Sequence, residues 1–156
     1  MTTSNGHPHA FNPSEHLMNL ETNPQKQARM YLQVQWRIVW FRGACPEGTI
    51  DTEEVCVDLD REISKEVQVY NQQTKRYEKV TKTACGYARY KAIVTDGRGG
   101  KASATKTETA VDFPDYCEKA ETGAVGRALA MLGYGTQFTG SELEEGHRIV
   151  DSPVAR

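Results

Sequence analysis

The stretch 118–135, EKAETGAVGRALAMLGYG, constrains this chain more than any other. Its alanines at 120, 124 and 128, with Leu129, Ala130 and Met131, favour helix. Yet Gly123 and Gly126 each cost about 1 kcal/mol relative to alanine in a helix interior, so a close approach of something must offset them. Phe113, Cys117, Ala120, Ala124, Ala128 and Met131 or Leu132 recur at intervals of three and four, the stripe a helix buries against a sheet. Gly123, Gly126 and Ala130 sit at helical spacing beside Arg127. A backbone, a ligand or simply a tightly packed sheet can therefore come near the helix axis while the guanidinium reaches an anion. Asp112 is the expected N-cap ahead of Phe113-Pro114, and Gly133 and Gly135 are the expected stop.

The strands that such a helix would cover can be read upstream. Residues 85–95, CGYARYKAIVT, alternate, with Tyr87, Arg89, Lys91 and Ile93 on one side and Ala88, Tyr90, Ala92 and Val94 on the other. Asp96-Gly97-Arg98-Gly99-Gly100 supplies a turn, and 101–111 returns as the partner strand. Residues 49–60 read as a strand, and 66–70 and 77–81 as a separate hairpin around the polar turn 71–76. The aromatic segment 34–42 favours helix over strand, ended by Gly43 and Pro46. Before it, Asn12-Pro13-Ser14-Glu15 opens a short helix through Leu20, with a break at Asn23-Pro24. The result is an α+β domain: an antiparallel β-β-β-α core with an aromatic N-terminal helix and a long helix packed over the sheet. Residues 1–11 are expected to form a disordered tail, 12–138 the domain, and 139–156 an acidic, then mixed, C-terminal extension that packs on a neighbour or hooks other proteins.

With 156 residues, 38% hydrophobic and 26% charged, the chain suits one soluble domain. No apolar run approaches the roughly 20 residues of a membrane helix, and the first residues lack the pattern of a signal peptide, so a cytoplasmic location without membrane contact is expected. Cys45, Cys56, Cys85 and Cys117 form no C-x-x-C pair and are expected as reduced, packed thiols. His7, His9, His16 and His147 lie toward the two ends and suggest no metal site.

Charge is unevenly distributed. Between positions 75 and 106, Lys75, Arg76, Lys79, Lys82, Arg89, Lys91, Arg98, Lys101 and Lys106 stand against Glu78 and Asp96, a local excess of +7 in a chain of net charge −2. The rest of the chain is therefore strongly acidic. A basic centre in an acidic protein points to a polyanion-binding surface, although lysines also serve simply to blunt strand edges. Arg89 and Lys91 interleaved with Tyr87 combine phosphate contacts with a ring able to stack on a base, which suits single-stranded nucleic acid, unless Tyr87 is core and the cations merely its wet neighbours.

Enzyme patterns fit less well. Around Gly97-Arg-Gly-Gly-Lys101, the places that a phosphate loop fills with Gly and with Ser or Thr hold Thr95 and Ala102. There is no G-x-S-x-G elbow and no H-E-x-x-H pair. Glu108, Asp112, Asp115, Glu118 and Glu121 could gather a divalent metal for phosphodiester cleavage, or could merely favour the helix dipole. A nuclease using Asp112, Asp115 and Glu118 thus stands as an alternative, and a scaffold whose basic hairpin meets an acidic protein as another. No cofactor is expected.

Three stretches, YLQVQWRIVWFRGACPEGTIDTEE, ACGYARYKAIVTDGRGGKASATKTETA and DYCEKAETGAVGRALAMLGYGTQF, together resemble the Rad fifty-two superfamily of single-strand annealing proteins, in particular its bacterial and phage branch that includes the DNA damage response protein A group. The similarity covers about 17–138, and its most specific part is E-K-A-E-T-x-A-V-x-R-A-L-x-x-x-G. It implies a β-β-β-α core, assembly into rings or open arcs, and ATP-independent pairing of complementary strands held by their backbones in a basic groove. Arg127 then matches the arginine that the long helix points into the groove, Arg37 the basic residue on its other wall, and Lys82, loosely, a lysine at the start of the second strand. Gly126 stands where eukaryotic members have a lysine, and Asp112-Phe113-Pro114-Asp115 replaces their lysine-rich connection, which favours a single groove over two DNA paths.

The expectation is therefore a non-enzymatic protein that binds and anneals single-stranded DNA in recombination or repair, with end protection as the milder version. It would act as a homo-oligomer, a ring or an arc, with Arg37 and Arg127 as principal phosphate ligands and Lys82, Arg89, Lys91, Lys101 and Lys106 as secondary ones. The Trp36, Trp40 and Phe41 cluster and the exposed strand edges are candidates for the subunit contact, unless the tryptophans are buried within their own subunit.

Overall fold

Alternation in 85–95 does produce the middle strand of the fold. The computed structural model describes residues 10–139. In chain order these form a 3₁₀ turn Pro13–His16, β1 Leu17–Asn19, β2 Met30–Leu32, α1 Val34–Ala44, β3 Thr49–Asn71, β4 Arg76–Thr95, β5 Lys101–Thr109, α2 Tyr116–Met131 and a 3₁₀ turn Thr136–Phe138. The main sheet is antiparallel in the order β3-β4-β5, and β1 and β2 form a separate two-stranded ribbon. α2 lies across one face of the main sheet and α1 packs at its side, which is the expected α+β arrangement.

The core is made where that helix meets the sheet. Ala92, Val94 and Ala104 on the strands face Ala124, Ala128 and Leu129 of α2, while Phe41 and Cys45 of α1 close the end. Small residues on both sides let helix and sheet backbones approach, and the larger side chains fill the margins. Burying Phe41 and Leu129 completely contributes about 1.5–3 kcal/mol each. Gly133, at φ 98°, ends α2 as expected, just past the C-cap Leu132.

β3 and β4 are far longer than expected. The break read after Asp60 is a bulge: the register passes from Asp58↔Tyr87 to Glu62↔Cys85, and pairing then runs on to Asn71↔Arg76. Asp58 Oδ1 accepts from the backbone N–H groups of Asp60 and Arg61, both at 3.1 Å, so the carboxylate holds the extra residues without ending the strand. The expected strands 49–60 and 66–70 are thus one strand, and 77–81 and 85–95 another. β5 pairs with β4 only from Tyr87 to Thr95, so beyond the bulge the hairpin is a two-stranded arm among the described residues.

Other boundaries differ for local reasons. Asp112 does not cap α2; its carboxylate takes a 2.7 Å ion pair from Lys65 on the arm, and the helix starts later, after Asp115. The short N-terminal helix stops at His16 rather than Leu20, because Leu17 enters a strand pairing with Leu32. Of the expected 1–11 tail, residues 1–9 lie outside the described residues, whereas Phe11 is half-buried and stacks on His16, with ring centroids 5.1 Å apart. Residues 140–156 likewise lie outside the described residues. Among the described residues no helix is long and apolar enough to cross a membrane.

Candidate nucleic-acid interface

α2 presents Lys119, Gly123 and Arg127 at intervals of four, one above another on a single face. They look onto the neighbouring β5, whose Lys106 lies on the helix side of the sheet. A side chain at position 123 would put its Cβ 2.8 Å from Lys106 Cγ, so the glycine is what lets the lysine stem pass over the helix. Tyr31 and Val34 close the other side. The result is a groove of about 240 Å³ lined by these residues with Thr122 and Glu108.

Among the described residues, three cations from two elements meet one carboxylate in this groove. Lys106 Nζ lies 3.4 Å from Glu108 Oε1 in a partly exposed contact. Lys119 Nζ sits 5.5 Å from the centre of the Phe113 ring. The arrangement can take a row of anionic oxygens by charge and hydrogen bonding.

Arg37, expected on the opposite wall, has a different position. It is wholly buried. Its Nε donates to Leu32 O at 2.8 Å, Nη1 to Gly126 O at 2.9 Å, and Nη2 to Phe138 O at 3.4 Å, while its guanidinium carbon lies 5.2 Å from the Tyr31 ring centre. Arg37 therefore fastens α1, α2 and the end of the described chain together, instead of standing on an open groove wall as expected. Gly126 belongs to the same junction, since a Cβ there would lie 2.5 Å from Val34 Cγ2 and 3.3 Å from Arg37 Nη1.

The remaining expected ligands are dispersed. Arg89 and Lys91 point to the sheet face away from α2, where Lys91 stands opposite Glu53 in the register, and Lys101 begins β5 on that same face. Tyr87 is on this face as well, its ring already covered by the Arg61 guanidinium at 4.1 Å. Lys82 lies on the arm opposite Lys65. Strand alternation places it on the helix side, as does Gly86, where a Cβ would strike the Tyr116 ring at 2.6 Å. Of the seven expected residues, Arg127 and Lys106 thus share the groove.

The acidic residues do not gather. Asp112 is held by Lys65, Glu121 accepts from Thr52 Oγ1 at 2.9 Å, and Glu108 faces Lys106. Among the described residues no three of His, Cys, Asp and Glu converge in a way that would hold a metal ion. Cys45 is buried with its Sγ 3.0 Å from Tyr134 Oη and 3.2 Å from an Arg98 Nη2 donor, whereas Cys85 is exposed rather than packed. That thiol contact, ahead of desolvation, pushes the Tyr134 hydroxyl above its ordinary pKa, and burial does the same to Tyr90 under α2.

The aromatic cluster is largely used within the chain. Phe41 is fully buried, His16 stacks on Trp36 at 3.9 Å between centroids, and Trp40 meets Phe11 and the edge of Tyr134. Lys119 and Tyr31 were not foreseen in the groove. The spacing 119, 123, 127 carried the signal for Lys119, while Tyr31 arrives through a strand too short to leave a pattern. No family model, curated protein or solved structure matches this chain.

Proposed function

We propose that this protein binds the backbone of single-stranded DNA in the groove of Lys106, Lys119 and Arg127 and, as a homo-oligomer in the cytoplasm, brings complementary strands together without ATP in recombination or repair. The observation that carries this reading is the convergence of three cations from a helix and a strand over Gly123, whose missing side chain makes room for one of them. The residues that resemble Rad fifty-two superfamily annealing proteins include this same helix, and point the same way.

Backbone binding leaves base edges free, so the affinity would be insensitive to sequence and strongly dependent on salt. Pairing needs no nucleotide energy, because duplex stacking yields roughly 1.4 kcal/mol per base step. One such groove holds few phosphates, and repetition around an oligomer would align a long strand. The two-stranded arm supports assembly: its helix-side face carries Ile63, Val67, Val69, Val80 and Ala84, and an isolated hairpin of this kind is marginal in water unless something packs on it.

The test is annealing of two labelled complementary oligonucleotides, without ATP or divalent metal, by wild type, Arg127→Ala and a Lys106→Ala/Lys119→Ala pair at two salt concentrations. Accelerated pairing that both variants lose and salt suppresses is expected. Tight binding without acceleration would reduce the function to end protection, and absence of binding would overturn the groove as a DNA site.

A further inference from the structure

The arm that β3 and β4 form beyond the bulge carries an ordered pattern on its helix-side face. Val67 stands there opposite Val80 and Val69 opposite Glu78, with Lys82 next along β4 toward the core and Arg76 at the tip. Val69 and Val80 are about half exposed. Glu78 is engaged within the arm, accepting from Asn71 Nδ2 and Thr74 Oγ1, both at 3.2 Å. The face is thus an apolar centre bracketed by two cations.

A crevice of the converse character lies between α1, α2 and β3. Val34 and Ile38 of α1 and Val125 of α2 line it, together with Thr52, Glu121 and Thr122. Its volume of about 240 Å³ falls below the roughly 300–1,000 Å³ of small-molecule sites and suits one or two side chains. Thr52 Oγ1 donates to Glu121 Oε2 at 2.9 Å, which fixes one carboxylate beside the slot. Glu54 follows Thr52 on the same side of β3, and Glu118 precedes Glu121 by three residues on α2. Burial foremost, and then Glu54, Cys117, Glu121 and Glu118, push the Tyr90 hydroxyl above its ordinary value, as suits three carboxylates gathered around one point. All three are exposed, so the apolar slot has an acidic border.

We propose that the arm of one copy docks in this crevice on a second copy of the chain, seating Val69 and Val80 in the apolar slot and setting Arg76 and Lys82 against its acidic border. The arm cannot serve its own crevice. Thr52 lies on the same continuous strand ten residues before Glu62, and Lys65 at the root of the arm is tied to Asp112 of its own chain at 2.7 Å. Residues 62–71 extend roughly 33 Å, about the width of a small domain, so one arm reaches across a neighbour. Because the two surfaces differ, the contact is heterologous: it repeats from copy to copy and either closes a ring or runs on as an open arc. The inference rests on the homo-oligomer of the proposed function and is independent of what the cation groove binds.

Sedimentation of the full-length protein at low salt, without DNA, decides the matter through paired charge reversals. R76E/K82E reverses the arm, and E118K/E121K reverses the crevice. Each variant alone is expected to sediment as smaller species than wild type, because like charges then meet at every junction. Mixed in equal amounts, the two are expected to recover the larger assemblies, since every junction between unlike copies again joins opposite charges. Recovery also shows that both variants fold. E54K reverses the border from β3 and repeats the mixing test without touching α2. Crevice reversals that assemble like wild type overturn the docking, as does a mixture that recovers nothing while its members keep the thermal midpoint of wild type. A wild type that sediments as a monomer overturns the docking and the homo-oligomer together. Recovery on mixing by proteins that bind no labelled oligo(dT) upholds the docking and overturns the phosphate reading of the groove instead.

Discussion

Arg37 Nη1 donates to the carbonyl oxygen of Gly126 at 2.9 Å, joining two helices across 89 residues of sequence. The bond lies one residue from Arg127, so the buried arginine sets where the groove arginine stands. A carbonyl in the middle of α2 is normally committed within the helix, and it accepts a second donor here because Gly126 leaves the backbone uncovered.

Arg37→Ala should therefore act first on stability. Removing the guanidinium deprives the carbonyls of Leu32 and Phe138 of a donor and that of Gly126 of its second, at about 1–3 kcal/mol for a buried group left unsatisfied, and it empties the space that the buried side chain fills. A loss of about 3 kcal/mol or more in urea denaturation is expected, with Arg127→Ala close to wild type in the same assay. A fully stable Arg37→Ala that loses only DNA affinity would make Arg37 a DNA contact after all.

The two helix glycines should separate in the same way. Gly123→Ala meets only the flexible stem of Lys106, and relief of about 1 kcal/mol of helix penalty should leave stability equal or higher while DNA affinity falls as the lysine is pushed aside. Gly126→Ala meets the stiff, branched Val34 and should cost about 1–3 kcal/mol. Thermal denaturation of both variants, alongside anisotropy, checks the pair.

These contrasts show what the sequence could and could not reveal. The alternation at 85–95 and the three-four stripe of α2 are local periodicities, and local periodicity survives folding, so the sheet and its helix were legible. Asp58 hid the continuity of β3, because a bulge held by a side chain reads as a strand end. Arg37 was misplaced for a deeper reason: arginine type argues for the surface, and only the three carbonyls that surround it, drawn from distant parts of the chain, justify its burial.

Salt dependence should identify the groove cations individually. Removing one phosphate-binding cation lowers the slope of log K against log salt by about one, so Lys106→Ala, Lys119→Ala and Arg127→Ala should each flatten it. Arg89→Ala, Lys91→Ala and Lys101→Ala, on the opposite sheet face, should lower affinity less. Equal effects for both sets would place the strand across the open face.

The turn between β4 and β5 should carry a pH signature. Asp96 Oδ1 accepts from Arg98 N at 2.7 Å and Gly100 N at 2.9 Å, and these backbone bonds, foremost that from Arg98, hold the carboxyl below its ordinary value of 3.8. Because the folded group titrates lower than the unfolded one, its contribution is complete above that value and fades as the pH falls through the folded pKa. Asp96→Ala should thus be less stable than wild type at neutral pH, and the gap should close below about pH 4 in acid melts. A gap that persists unchanged into strong acid would mean that the ionised carboxylate is not what holds the turn.

The arm should govern assembly without governing the fold. Val67 and Val80 stand opposite each other on its helix-side face and Val69 shares that face, while Val69 and Val80 are about half exposed. The core under α2 lies beyond the bulge and uses none of them. A Val69→Asp/Val80→Asp variant should keep the thermal midpoint of the core but sediment as smaller species. Its affinity for long oligonucleotides should fall more than for short ones, because a lone subunit retains its groove and loses its neighbours. Oligomers that persist in this variant would move the subunit contact away from the arm.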